Sequence, residues 1–187
     1  MNIGHHEPQN IINTETEQIS YDIFISDCQH FEKISKDNGD NWKVSRQGNI
    51  TWLEYTKVQF IKRENSQIIV HSTFEIHYSF SYGVPVLYCR YNNEAGELLD
   101  YETVKGSVLD VGVTNDMVSM APHPVTGLPW LQVHPCRTAS TAADIRHSVN
   151  TEKCSYLATF ISLYGQAVGL TLSPVYAVPN HDELPKS

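Results

Sequence analysis

The chain has 187 residues, 41% of them hydrophobic and 10% aromatic, with a formal net charge of −8. A composition this apolar excludes a disordered polypeptide, and the length suits one domain built on a single core. The 13 basic residues are scattered, which excludes the phosphate-tracking surface of a nucleic-acid binder and favours neutral or basic protein partners.

Residues 1–13 are polar and aperiodic and read as a flexible tail; His5-His6 is too short to be a metal site. No basic start or apolar run marks a signal peptide, so a cytoplasmic chain with reduced thiols is expected. Thr14 and Glu17 have capping-box spacing and predict a helix start. Tyr21, Phe24, Cys28 and Phe31 follow at steps of three and four, flanked by Ile19 and Ile23, and form one amphipathic face. Cys28 lies on that stripe and reads as packing. Asn38-Gly39-Asp40-Asn41 ends the helix.

From Trp42 the period changes. Trp42 to Arg46, a Gln47-Gly48-Asn49 turn and Ile50 to Arg63 predict a hairpin. Then Val70, Ser72, Phe74, Ile76, Tyr78, Phe80 and Tyr82 alternate with His71, Thr73, Glu75, His77, Ser79 and Ser81. That is a long antiparallel strand with one face on a core and the other toward water or a partner. His71 and His77 read as solvated, because a metal would need a third ligand that the sequence does not place. Gly83 permits a bend, and Val84 to Arg90 starts another strand, with Pro85 tolerable near its beginning or on an edge.

Leu98 to Leu109 predicts a short helix. Asp110 to Gly127, with His123-Pro124, reads as a long connection of the kind that often carries function. It delivers the chain to Leu128-Pro-Trp-Leu-Gln-Val-His-Pro-Cys-Arg-Thr138, where an apolar run ends at Pro135 and leaves Cys136 just beyond. Proline pushes His134 into an extended conformation, and Arg137 favours the thiolate, the form that attacks electrophiles. Two readings stay open on this chemistry: Cys136 as a thioester-forming nucleophile, or as a small buried hydrophobe.

Beyond it, Ala142 to His147 suits a helix, and Leu157, Phe160, Ile161 and Tyr164 place a firmer one over Thr151 to Tyr164, ended by Gly165 and Gly169. Val175 to Val178 reads as a terminal extended piece. Cys154 to Pro179 carries no charge, but glycines, a proline and hydroxylated residues interrupt it too often for a membrane span. The cysteines at 28, 89, 136 and 154 form no Cys-x-x-Cys pair, so neither zinc nor a redox dithiol is suggested, and no cofactor is expected. The order of elements predicts an α+β fold, an antiparallel sheet of four or more strands with N- and C-terminal helices on one face. The expected domain is 14–178, between tails at 1–13 and 179–187.

Three blocks, Tyr78 to Arg90, His123 to Thr138 and Tyr156 to Tyr176 with Ser162 to Leu170 at its centre, resemble the autophagy branch of the ubiquitin-conjugating (E2) enzymes. The resemblance covers roughly residues 70–178 and implies an E2-like fold in which Cys136 carries a modifier as a thioester. Tyr-Gly-Val-Pro-Val-Leu-Tyr and the lack of a long acidic insertion favour the members that load autophagy-related protein twelve. Autophagy-related protein three, which works in modifier lipidation, shares His-Pro-Cys-Arg and is the alternative. The implied partners are the E1-like autophagy-related protein seven, the modifier autophagy-related protein twelve and the acceptor autophagy-related protein five.

Ordinary E2 enzymes place an Asn in a His-Pro-Asn sequence ahead of the cysteine, whereas here Cys136 itself follows His-Pro, so the oxyanion donor is open. The resemblance assigns Tyr82 and His123 as polar groups near the sulfur, with His134 shaping the turn; for Tyr82 an ordinary core-face aromatic is the competing account. Many relatives carry a Glu before the first His-Pro pair, where this chain has Ala121-Pro122. The polar row from His71 to Ser81 is expected to be a docking face or simply solvated. A cysteine hydrolase using Cys136 and a nearby His is the rival class of enzyme.

Overall fold

The structure, a computed structural model, describes residues 19–63, 66–109, 117–134 and 155–177. Helix α1 (Tyr21–Asn38) begins at Ser20, whose hydroxyl accepts the Ile23 N–H at 3.2 Å. It stops at Gly39, where φ of 70° lets the glycine N–H turn back to the Ser35 carbonyl. Phe24, Cys28 and Phe31 are buried along one side, as the spacing predicts. Ile19 is buried but precedes the helix, and Ile23 points outward, 49% exposed. Thr14 and Glu17 lie outside the described residues, and the observed cap is Ser20.

Six strands follow: β1 (Lys43–Gln47), β2 (Ile50–Arg63), β3 (Ser66–Ser79), β4 (Val84–Asn92), β5 (Val118–Pro122) and β6 (Pro129–Val133). All neighbours pair antiparallel, in the order β1-β2-β3-β4-β6-β5. A single helical turn, α2 (Tyr101–Val104), sits between β4 and β5, and helix α3 (Tyr156–Tyr164) follows β6. Pro85 pairs with Tyr78 on one side, and β6 meets β4 only at Tyr88 and Cys89, so the start of β4 needs no donor on its other side.

One sheet face, through Leu53, Phe74, Ile76 and Leu87, packs against Phe24 and Phe31 of α1 and Leu157 and Ile161 of α3. Full burial of such side chains contributes about 1.5–3 kcal/mol each, which makes this layer the main source of stability. The helices are joined directly: the Leu157 N–H at the start of α3 donates to the Asp27 carboxylate of α1 at 3.0 Å. Tyr176, fully buried, stacks on Phe31 and donates to Asp40 at 2.8 Å. The α+β, E2-like arrangement with both helices on one face is as the sequence predicts.

Four expectations need correction. Strand β3 ends at Ser79, so Phe80 and Tyr82 lie in the turn to β4, 74% and 51% exposed, and neither is a core-face aromatic. The connection from Asp110 to Gly127 contains the edge strand β5; its run Val-Ser-Met-Ala-Pro is too short and too proline-bound to declare itself by alternation. The predicted helix from Leu98 to Leu109 contracts to α2, capped by Asp100. Val175 lies in a 3-10 turn, Pro174–Ala177, where an extended piece was expected. The predicted segment Ala142 to His147 lies outside the described residues, as do both tails.

Candidate active-site cleft

Strand alternation determines what the second face of the sheet carries. Opposite Glu75 on β3 stands Tyr88 of β4, and opposite His77 stand Trp52 of β2 and Val86 of β4. Tyr88 in turn faces Gln132 of β6, and Trp130 faces Ala121 of β5. Val86, Tyr88, Trp130 and Ala121 therefore form a second, smaller apolar cluster on the side away from the helices. This cluster overturns the expectation of a solvated polar row. His71 is exposed, but Glu75 and His77 are 7% and 3% exposed.

A buried carboxylate is stable only when its lone pairs are filled. Glu75 Oε2 accepts from His77 Nε2 at 2.8 Å and from His123 Nε2 at 2.9 Å. Burial alone pushes its carboxyl pKa up, but the two imidazole hydrogen bonds outweigh burial and hold it below the usual 4.5. The rings are clamped by aromatic neighbours. Trp52 stacks on His77 with centroids 5.3 Å apart, and Trp130 stacks on His123 at 4.4 Å. Burial also lowers the His77 pKa below 6.5 despite the carboxylate beside it, so this ring is neutral at physiological pH.

Three ligand-type atoms of Glu75, His77 and His123 lie within 4.8 Å of one another, close enough to suggest a metal. The protonation of His123 argues against one. Its Nδ1 accepts from the backbone N–H groups of Val125 and Thr126 at 3.4 and 3.3 Å, so the ring proton sits on Nε2. That nitrogen is a donor to Glu75 and has no lone pair for an ion. The three residues act as a hydrogen-bonded brace tying the His123–Leu128 turn to the middle of the sheet. The turn itself is closed by His123 N–H to the Leu128 carbonyl at 2.8 Å.

Beside the brace lies an open cleft of about 320 Å³, lined by His77, Tyr78, Tyr82, Tyr88, Gln132 and His134 among others. Gln132 donates to the Tyr88 hydroxyl at 2.8 Å across its floor. The His134 N–H donates to the Met117 carbonyl at 2.9 Å, which fixes the end of β6 at the cleft wall. The structure thus brings Tyr82 and His134 to one cleft. His123 stays behind the wall, both nitrogens engaged, while its neighbour Pro124 and its brace partner His77 line the cleft. Cys136 lies outside the described residues.

Cys28 and Cys89 are described, and both are sealed in the core with thiol pKa values pushed far up by burial. Neither is a nucleophile. The sequence missed Glu75, His77 and Tyr88; the available signal was Glu75-x-His77 on one strand face with Trp52 and Trp130 in flanking runs. The carboxylate bonded to His123 comes from β3, 48 positions earlier in the chain.

Comparison with known proteins agrees with this layout. Residues 8–175 match the family described as autophagocytosis associated protein, active-site domain. Over 110 residues, 53% of this chain, it is 33% identical to the ubiquitin-like-conjugating enzyme ATG10 of Arabidopsis thaliana. The corresponding protein of Homo sapiens is 28% identical over 117 residues, 58% of this chain. These alignments span 49% and 53% of the two relatives, so the chain spans about half the length of the relatives it matches. The crystal structure of an autophagic E2, Atg10, superposes with a TM-score of 0.51 at 18% identity, covering 81% of this chain and 97% of that one, a likeness of fold.

Proposed function

The chain belongs to the autophagocytosis-associated active-site family, and from that membership we propose that it is an E2-like conjugating enzyme of autophagy, with Cys136 as its thioester nucleophile. The observation that carries the reading is the cleft at the end of β6. His134 forms its wall two residues ahead of Cys136, and two residues of chain reach at most ~7 Å. Burial of Cys28 and Cys89 removes two of the four thiols from contention, and Arg137 beside Cys136 favours a thiolate.

In this mechanism the E1-like autophagy-related protein seven presents the activated C-terminal glycine of autophagy-related protein twelve. The Cys136 thiolate attacks the donor thioester, its carbon–sulfur bond forms, and the E1 thiolate leaves. A lysine of autophagy-related protein five then attacks the new thioester and the Cys136 thiolate departs. The tetrahedral oxyanion formed in each step needs a hydrogen-bond donor. Tyr82, whose phenol stands half-exposed at the cleft, is assigned that role, His134 shapes the approach to the cysteine, and His123 acts by holding the brace. Cys28 and Cys89 are unpaired, which suits the reducing cytoplasm. Among the described residues no helix is long and apolar enough to cross a membrane.

The test incubates the chain with the E1, ATP and the modifier and resolves products on a non-reducing gel. A reductant-sensitive adduct is expected, converted to a reductant-stable ester by Cys136→Ser. An adduct on Cys28, Cys89 or Cys154 overturns the assignment, and continuous hydrolysis of an activated ester without an adduct marks a hydrolase.

A further inference from the structure

Strands β4 and β6 pair only at Tyr88 and Cys89, and beyond Cys89 they part. The chain entering α2 takes over as the neighbour of β4, where the Leu99 N–H donates to the Tyr91 carbonyl at 2.9 Å. Between that segment and β6 lies a pocket of about 90 Å³ whose walls include Leu99, Tyr101, Val104, Trp130 and Leu131. Leu98 and Met120 also line it and are 51% and 56% exposed, so the apolar lining continues onto the surface. The volume suits one bulky apolar side chain.

Two cations edge this pocket. Arg90, a lining residue, carries its guanidinium over the Trp130 ring at 5.8 Å, and Lys105 carries its ammonium over the Tyr101 ring at 5.5 Å. An aromatic face steadies a cation and leaves its N–H groups free to donate. Among the described residues neither cation meets a carboxylate. Asp100, the carboxylate in the lining, is engaged by α2, whose Thr103 N–H donates to it at 2.6 Å. The net charge of −8 works against acidic proteins in general, so a carboxylate gains only where it reaches these two cations. We propose that the pocket is a docking site for a partner protein's segment in which carboxylates flank one bulky apolar residue. The apolar side chain fills the pocket and the carboxylates pair with Arg90 and Lys105. The cleft draws on Gln132 and His134 at the other end of β6, so a segment docked here leaves it open. This docking needs neither Cys136 nor the E2-like reading.

The probes are pools of capped, fluorophore-labelled nonapeptides with Leu, Phe or Met at the centre, flanked in one pool by Asp and Glu, in another by Lys and Arg, and in a third by Ser and Gly. A fourth pool keeps the acidic flanks and has Ser at the centre. Fluorescence polarisation with the full chain is expected to show the acidic, apolar-centred pool bound about tenfold more tightly than each of the others. Arg90→Glu and Lys105→Glu are each expected to weaken its binding about fivefold, and the two together to move the preference to the basic pool. No binding by the acidic pool, equal binding by all pools, or acidic binding unchanged in both variants overturns the proposal. Lys105 is exposed, so its variant keeps the test decisive if Arg90→Glu does not fold.

Discussion

Replacing Glu75 by Leu tests whether the brace holds the second face of the sheet together. Leu fills nearly the same space, so the perturbation removes an acceptor and leaves little cavity. Two imidazole N–H groups, now bonded at 2.8 and 2.9 Å, lose their partner in a buried setting. A stranded donor costs about 1–3 kcal/mol, so the pair is expected to cost about 2–6 kcal/mol. Against a total stability of about 5–15 kcal/mol this is a severe change. A loss of about 4 kcal/mol corresponds to a melting temperature lower by about 8–16 °C in a domain of this size. Urea unfolding followed by tryptophan fluorescence suits the measurement, because Trp52 and Trp130 stack on the two rings concerned. Adding His77→Phe and His123→Phe to Glu75→Leu removes the stranded donors and is expected to restore more than half of the loss. A single variant within about 0.5 kcal/mol of wild type, or a triple variant no better than the single, would refute the energetic account of the brace.

Acid is expected to weaken the fold in two stages with the same sign. Burial lowers the His77 pKa below 6.5, so the unfolded chain binds a proton that the folded chain refuses, and stability falls as pH drops below about 6.5. Glu75 is held below 4.5 by its imidazole bonds against the opposing effect of burial, so its contribution is present above that value and lost as pH falls through the lower folded value. Denaturant titrations across this range check both slopes, and His77→Phe is expected to remove the upper one. Gly165→Ala is expected to cost about 1–3 kcal/mol although φ there is helical, because the new Cβ would lie 2.5 Å from the Ile161 carbonyl oxygen and 2.7 Å from that of Leu170. Thermal unfolding measures it. Cys28 and Cys89 are expected to resist a thiol reagent in the native protein and to react only on unfolding; mapping the labelled sites by mass spectrometry checks this, and native-state labelling of either would contradict their burial.

What the sequence disclosed followed from which interactions are local. Helix α1 repeats its apolar side chains along one side, β2 is rich in β-branched and aromatic residues, and β3 alternates from Val70, so local pattern located all three, although β3 begins at Ser66 and ends at Ser79. The apolar row of β3 was assigned correctly to the core. The polar row was misjudged because its burial depends on Trp52, 25 positions earlier, and on Trp130 and His123, about fifty positions later. No window of sequence reports such a meeting. Tyr82 lies in a turn and not on the strand that alternation suggests, since the turn closed by Gly83, with φ of 64°, ends β3 at Ser79 and leaves the aromatic outward. His123, a candidate for chemistry on sequence, bonds Glu75 through Nε2 and accepts two backbone N–H groups at Nδ1, contacts that no sequence window shows.

The two long strands run past their neighbours. β1 accompanies β2 only from Ile50 to Glu54, and β4 accompanies β3 only from His71 to Ser79. From Gln59 to Arg63 and Ser66 to Val70 the two strands hold each other alone, a cantilever fixed at one end in the sheet. Its inward Ile61 and Val70 are buried, while Phe60 faces outward. Amide protons on this overhang, held by a single partner strand, are expected to exchange with solvent faster than those of the central strands, which hydrogen exchange read residue by residue would check.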